Sequence, residues 1–274
     1  MTSVVIAAID SSAAARPVLQ AAEAYALLIG ASVQALHVDA GDDACAVFAA
    51  AHEIAYRGLT GDVIESLVGA AAVPEVSAIV LGARGRPGGP SPAGHVALAV
   101  IARVERPVIV VPPDAPCPEQ LTRILLPVEG HPDPTRVPDP LLELLAGGGA
   151  EIAALHVDDD SSLPGYSDQI QHETEAFARE FVARNIPCTV DVDVALRVGR
   201  PGTEVLAACD PEDVDLVVLA WSRDLSSGRA EIVRELLSRS RVPVMLVPTV
   251  TSDLAPLRAT RGTSTEPTGR VDQP

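Results

Sequence analysis

The stretch GARGRPGGPSPAGHV, residues 82–96, concentrates glycine and arginine just ahead of an apolar segment that reads as a helix over about 95–104. Glycines let backbone N–H groups approach an anion closely. A helix amino terminus adds unsatisfied N–H groups and the positive end of its dipole. Arg84 and Arg86 bring full positive charges into an otherwise acidic chain. The same stretch also reads as a proline-interrupted surface loop whose glycines only turn the chain, and spacing alone leaves both readings open. Asp10 ends the first apolar run, and Val38 with Asp39 ends the second. In parallel α/β sheets ligands sit beyond the carboxyl ends of strands, so these positions are candidate contacts. Asp10 reads equally as a cap for the helix that follows it.

Composition removes several chemistries. Against 37 acidic residues stand 20 basic ones, a net charge of -17, so phosphate backbones and anionic lipid headgroups are repelled and nucleic acid is not expected as a partner. Every basic residue is arginine. Without lysine there is no P-loop lysine, no pyridoxal Schiff base and no kinase strand lysine. Cys45, Cys117, Cys188 and Cys209 stand far apart, without the paired spacing of a zinc or redox site, and read as reduced thiols. Neither a GxSxG elbow nor an HExxH pair occurs, so no metal and no catalytic constellation is expected. No run reaches the roughly 20 apolar residues of a membrane span, and the expected location is the cytoplasm.

The elements that carry these residues come in two copies. ALHVD occurs at 35–39 and again at 154–158, an offset of 154 − 35 = 119, and the same offset lays VVIAAID (4–10) on RILLPVE (123–129), with Asp10 opposite Glu129. RGLTGDVIESL (57–67) resembles RVGRPGTEVLAA (197–208) with Gly61 opposite Gly202, an offset of 141, which predicts an insertion of 141 − 119 = 22 residues in copy two. SAIVLG (77–82) matches VDLVVLA (214–220), and RPVIVVP (106–112) matches VPVMLVP (242–248), closing the copies.

Continuous Val/Ile/Leu/Ala runs are the mark of strands covered on both faces, so each copy reads as a parallel five-stranded sheet flanked by helices, a Rossmann-like α/β architecture. Val18, Ala22, Tyr25 and Ile29 define the inner face of the first helix, which Ser11 or Ser12 can cap and Gly30 ends. In copy two Asp139-Pro140 supplies a cap and a first-turn proline. The inserted helix is expected from about Ser167, with Ile170, Phe177 and Phe181 on one face; copy one has only GDDACAVFAAAHE in that place. The implied division is domain one at 1–113, a proline-rich linker at 114–121, domain two at 122–249 and a polar, disordered tail at 250–274.

The strand ending in Asp10, the ALHV strand, the Gly82-Ala83-Arg84-Gly85 corner, the later Gly94 and the closing RPVIVVP strand together resemble the universal stress protein family, over both copies. In ATP-binding members of that family the strand-end Asp and the Val of the second strand contact adenine and ribose, and a Gly-x2-Gly-x9-Gly-(Ser/Thr) motif wraps the phosphates. The resemblance implies Asp10, Val38, Gly82, Gly85 and Gly94 as the matching positions. Eight residues rather than nine separate Gly85 from Gly94, and His95 replaces the hydroxyl. The missing hydroxyl removes a phosphate hydrogen bond of about 1.5–3 kcal/mol. In copy two Ala220, Trp221, Ser222 and Arg223 replace the corner, with Ala230-Glu231 at the third glycine and hydroxyl.

The expectation is therefore a non-enzymatic tandem stress protein that binds an adenine nucleotide, ATP, weakly in copy one. An interaction scaffold without nucleotide and a slow ATP hydrolase are the alternatives. The two closing strands are expected to pair as an intramolecular pseudo-dimer with Val110 and Leu246 near the join, an arrangement compatible with a further homodimer.

Overall fold

The computed structural model describes residues 3–38, 44–84, 92–116, 118–128, 137–158, 180, 186–187, 189–223 and 230–249. The first copy runs β1 (Val4–Ala8), α1 (Ala15–Ile29), β2 (Ser32–Val38), α2 (Ala44–Ala51), β3 (Ala55–Leu59), α3 (Val63–Ala71), β4 (Val76–Gly82), α4 (His95–Arg103) and β5 (Val108–Val111). The second runs β6 (Arg123–Val128), α5 (Asp139–Gly147), β7 (Glu151–Asp158), β8 (Val192–Val198), α6 (Pro201–Ala208), β9 (Leu216–Trp221), α7 (Glu231–Arg239) and β10 (Val244–Pro248). The inserted helix expected from Ser167, the tail and Glu129 lie outside the described residues.

The central strands form because their β-branched and aliphatic runs are covered on both faces: β5 and β10 are buried throughout, and β4 nearly so. Strand order is β3-β2-β1-β4-β5-β10-β9-β6-β7-β8 in one ten-stranded sheet. Each copy contributes five parallel strands, and the copies join where β5 meets β10 antiparallel, with Val110 opposite Val244, Ile109 opposite Met245 and Val108 opposite Leu246. The closing strands match at an offset of 242 − 106 = 136, and 245 − 109 is also 136, so a residue and its own counterpart face each other at Ile109 and Met245. A pseudo-two-fold axis passes there, the isologous geometry of a symmetric dimer built within one chain. Pairing also removes the open edge that each closing strand would otherwise expose.

Two apolar layers flank the sheet, and each runs through both copies. One holds α1, α5 and the buried Cys45 and Ala49 of α2; the other holds α3, α4, α6 and α7. Val18, Ala22 and Tyr25 of α1 are fully buried, as their spacing requires, and burial pushes the Tyr25 phenol well above its usual pKa. Next to the join α1 packs on α5, close enough that a Cβ on Gly148 would run into the Leu28 carbonyl oxygen. The short α2 covers copy one's outer strands thinly, and β3 is half-buried at best.

Two expectations are corrected. The helices after β3 and β8 begin at caps Asp62 and Arg200, an offset of 138, and the residues before them, Gly61 (φ 114) and Gly199 (φ 146), both take a left-handed backbone. Gly61 therefore corresponds to Gly199, not Gly202, and the insertion is 138 − 119 = 19 residues. The conformation that only glycine adopts easily fixes the register better than letter similarity. The caps differ as well. Neither serine is the N-cap of α1, which is Ala14 with no side-chain cap bond, and in α5 the cap is Pro138, leaving Asp139 in the first turn.

Candidate functional site

The strand-end residues of copy one gather at one edge of the sheet. β1 lies between β2 and β4, with Ala8 level with Leu36 on one side and Leu81 on the other. Asp10, two residues past β1, Val38 at the end of β2 and Gly82 at the end of β4 therefore share the carboxyl edge, at the point where strand order reverses. Asp10 is exposed; Val38 is buried. The Ser12 N–H (3.0 Å) and hydroxyl (2.5 Å) donate to Asp10 Oδ1, and Ser12 Oγ accepts from the Ala14 N–H at 3.2 Å. This local turn, typical of a short Asx side chain, is why Ser12 is not the helix cap. Asp10 thus holds a fixed carboxylate at the strand end, not a cap.

His37 fixes the strand behind it. Its Nδ1 lies 2.9 Å from the Ile9 carbonyl, which must accept, so Nδ1 carries the proton. The Ile9 N–H in turn donates to the Leu36 carbonyl at 2.9 Å. His156 repeats the arrangement on Val128 at 3.1 Å, at the same offset of 119. Both imidazoles are buried, each tied to the backbone of the neighbouring strand's end.

The glycine stretch is closed at its base, where the Gly94 N–H donates to the Ala83 carbonyl (2.7 Å) and the Ala83 N–H to Val111 (2.7 Å). Gly94 is the N-cap of α4 and offers no side chain. The first-turn N–H groups that follow lack intrahelical partners, which leaves them directed at whatever anion sits before the helix. A Cβ on Gly94 would lie 3.4 Å from the Ala83 carbonyl oxygen and one on Gly82 would lie 3.6 Å from Ala14 Cβ, ordinary contact distances, so glycine at these two positions is not demanded by packing within the chain. His95 is an exposed first residue of α4, and Arg84 is half-buried at the corner. Gly85 and Arg86 lie outside the described residues. An uncapped helix start and an acceptor across the edge fit an anionic ligand with a hydroxylated or amine-bearing body. At the far end of α4, Arg103 clamps Glu65 of α3 with two bonds of 2.6 and 2.7 Å, holding the carboxyl below and the guanidinium above their usual pKa.

The same corner in copy two is built differently. Counted by the 138 offset, Ala220, Trp221, Ser222 and Arg223 stand for Gly82, Ala83, Arg84 and Gly85. Trp221 is 2% exposed, and its Nε1 donates to the Ile101 carbonyl of α4, in the other copy, at 3.4 Å. Arg223 has φ 63, a left-handed value at the position of a glycine, and its Nη1 lies 3.6 Å from Glu105 Oε1, again in the other copy. Ala230 brings a Cβ to the N-cap of α7, and Glu231 follows, paired with Arg200 at 3.0 Å. A carboxylate of the chain itself meets the dipole of α7, so a phosphate would find like charge there. These contacts between copies carried no sequence signal, because an indole in place of an alanine says nothing about its partner.

Among the described residues no group of three or more His, Cys, Asp or Glu side chains is placed to hold a metal. A small apolar crevice lined by Ala21, Ile109, Leu121, Leu216 and Pro243 lies by the join of the copies, away from the strand ends.

Residues 120–248 match the model of the universal stress protein family. No curated protein matches the chain. Among solved structures, a protein of unknown function from Pseudomonas aeruginosa PAO1 is similar at 12% identity and TM-score 0.64, over 90% of this chain and 93% of that one. A universal stress protein from Archaeoglobus fulgidus DSM 4304 is similar at 16% identity and TM-score 0.62, over 90% and 97%. A putative universal stress protein from Pseudomonas aeruginosa UCBPP-PA14 follows at 13% identity and TM-score 0.59, over 90% and 93%. At these identities the likeness is one of fold.

Proposed function

We propose that this chain, whose residues 120–248 match the model of the universal stress protein family, is a member of that family and a binding protein whose first copy takes one adenine nucleotide, ATP, while its second copy takes none. The observation that carries this reading is the contrast between two equivalent helix starts. α4 begins at a glycine that offers no side-chain cap, and its first-turn amides meet no acceptor among the described residues, whereas α7 begins with the ion-paired carboxylate of Glu231. Oriented N–H groups and a helix dipole favour a phosphate in the first place and disfavour it in the second.

In this reading Asp10 accepts from the base or ribose, the buried Val38 supplies an apolar wall, and Gly82, Gly85 and Gly94 keep side chains off the phosphate path. His95 stands exposed where it can donate to a phosphate. His37 and Ser12 fix the backbone and the carboxylate of Asp10, so little ordering is left to be done on binding. Asp10 Oδ1 is already engaged by the Ser12 N–H and hydroxyl, so its carboxylate is tied to the chain and not to a water, which supports binding over hydrolysis. No helix among the described residues is long and apolar enough to cross a membrane.

Calorimetric titration of the full chain with ATP and with cyclic AMP tests the proposal. One site per chain is expected, without phosphate release on prolonged incubation. Two sites would overturn the asymmetry, and no binding would leave the scaffold reading.

A further inference from the structure

We infer that the corner of copy two is a positioning device for the copy one site: Trp221 and Arg223 grip the carboxyl end of α4, whose amino end forms the anion cradle. This inference rests on the nucleotide reading of copy one and adds to it a coupling between the copies.

α4 spans His95–Arg103, so one rigid element about 13 Å long connects the cradle to the grip. Its last carbonyls have no intrahelical donors, apart from Val100, which accepts from the Val104 N–H. Trp221 Nε1 reaches the next of them, Ile101, and the indole is buried in the layer that also holds Ala97, Val100 and Ile101. Arg223 brings its charge to Glu105, two residues past the helix, and a cation at that end also complements the dipole. Trp221 and Arg223 stand where copy one has Ala83 and Gly85, and neither alanine nor glycine has a side-chain donor to return the contact. The grip is thus one-directional, from copy two onto copy one. Arg223 holds a left-handed backbone that costs a non-glycine residue energy, a conformation that persists only where surrounding contacts require it. The altered corner of copy two therefore has a use: it sets the axial position and tilt of the helix that presents its N–H groups to the ligand.

Trp221 is the one tryptophan of the chain, so its emission reports this contact without labelling. Titrating the full-length protein with ATP should change the emission of Trp221 with the same midpoint as the calorimetric isotherm. Trp221→Phe keeps the ring packing but removes the donor, and should weaken ATP binding roughly threefold to tenfold. Arg223→Gly relieves the backbone strain and removes the ion pair; it should leave the melting temperature unchanged or raised while still weakening ATP binding a few-fold. That split between stability and affinity separates positioning from a merely structural role. Wild type that binds ATP by calorimetry with silent Trp221 emission, and with both variants binding as wild type, overturns the inference and leaves the nucleotide reading intact. Absence of ATP binding in the wild type overturns both.

Discussion

The corner after β4 and the corner after β9 stand on the same frame, five parallel strands with the first strand at the centre, and are filled in opposite ways. Beyond β4, α4 starts at Gly94, an N-cap without a side chain, and its first-turn N–H groups are left to be used. After β9 the chain fills the same space with an indole, a guanidinium and a carboxylate, each already committed to a partner within the chain. The family model nevertheless matches the second half, 120–248, where the corner is altered. Family likeness resides in the strands and their connections, which set the fold, while the ligand chemistry resides in a few loop residues. Copy one is instead shortened between β2 and β3 by 19 residues relative to copy two, counted between the equivalent caps Asp62 and Arg200.

The largest effect is expected where the copies are most alike. Ile109 and Met245 face each other on the pseudo-two-fold axis, at 1% and 0% exposure. Met245→Asp places a carboxylate with no partner in the middle of a ten-stranded sheet, and should cost about 4 kcal/mol or more. Ile109→Asp should cost nearly the same, since each residue meets the other's surroundings. Urea denaturation of the two variants measures this. A small loss in one and a large loss in the other would show that the symmetry of the join is geometric only, with one copy carrying the stability.

How much of this was legible before the structure depended on the range of the interaction. The strands were plain, because Val/Ile/Leu runs covered on both faces need no context, and ALHV repeating at one offset exposed the duplication. Pairing of β5 with β10 followed from the same reasoning, since a closing strand left at an edge exposes backbone groups. Asp10, Val38, Gly82 and Gly94 fall together at one edge for that topological reason. What failed was local competition. Ser12 could cap α1 by type, yet its Oγ accepts from the Ala14 N–H two residues on, in a turn that precedes the helix. Gly202 resembled Gly61 by letter, while Gly199 has the left-handed backbone that makes the true match. The reach of Trp221 to Ile101 spans 120 residues and depends on how the copies dock, which no pattern within either copy encodes.

Binding sharpens the comparison of the two corners at an intermediate scale. Asp10→Ala removes the strand-end acceptor of copy one and should weaken ATP binding by about 1–3 kcal/mol, the loss of one hydrogen bond to a charged group. Glu129→Ala, at the matching position of copy two, should leave the affinity as it is. Calorimetry on both variants reads the difference. Equal losses would mean that copy two also binds, in which case the Glu231 carboxylate does not exclude phosphate.

The smallest effect is expected at Cys209, which follows α6 in copy two, where the 138 offset places Ala71 in copy one. Both residues are buried, and the Cys209 thiol donates to the Val205 carbonyl at 3.0 Å. Burial pushes this thiol up from 9.0 to about 12, with Arg197 opposing the rise. Between those values an unfolded chain has lost the thiol proton while the folded chain keeps it. The folded state then binds more protons than the unfolded one, and its stability falls as pH rises through that window. Cys209→Ala converts the position to its copy one counterpart. It should cost about 1 kcal/mol at neutral pH, the scale of one small buried group, and should flatten the alkaline decline. Stability measured against pH for wild type and variant tests the sign, and mass-spectrometric labelling tests the cause, since a protonated buried thiol should resist alkylation at neutral pH until the chain unfolds. Rapid labelling of native Cys209 would mean that α6 opens readily, and that this end of copy two is less firmly packed than the Ala71 end of copy one.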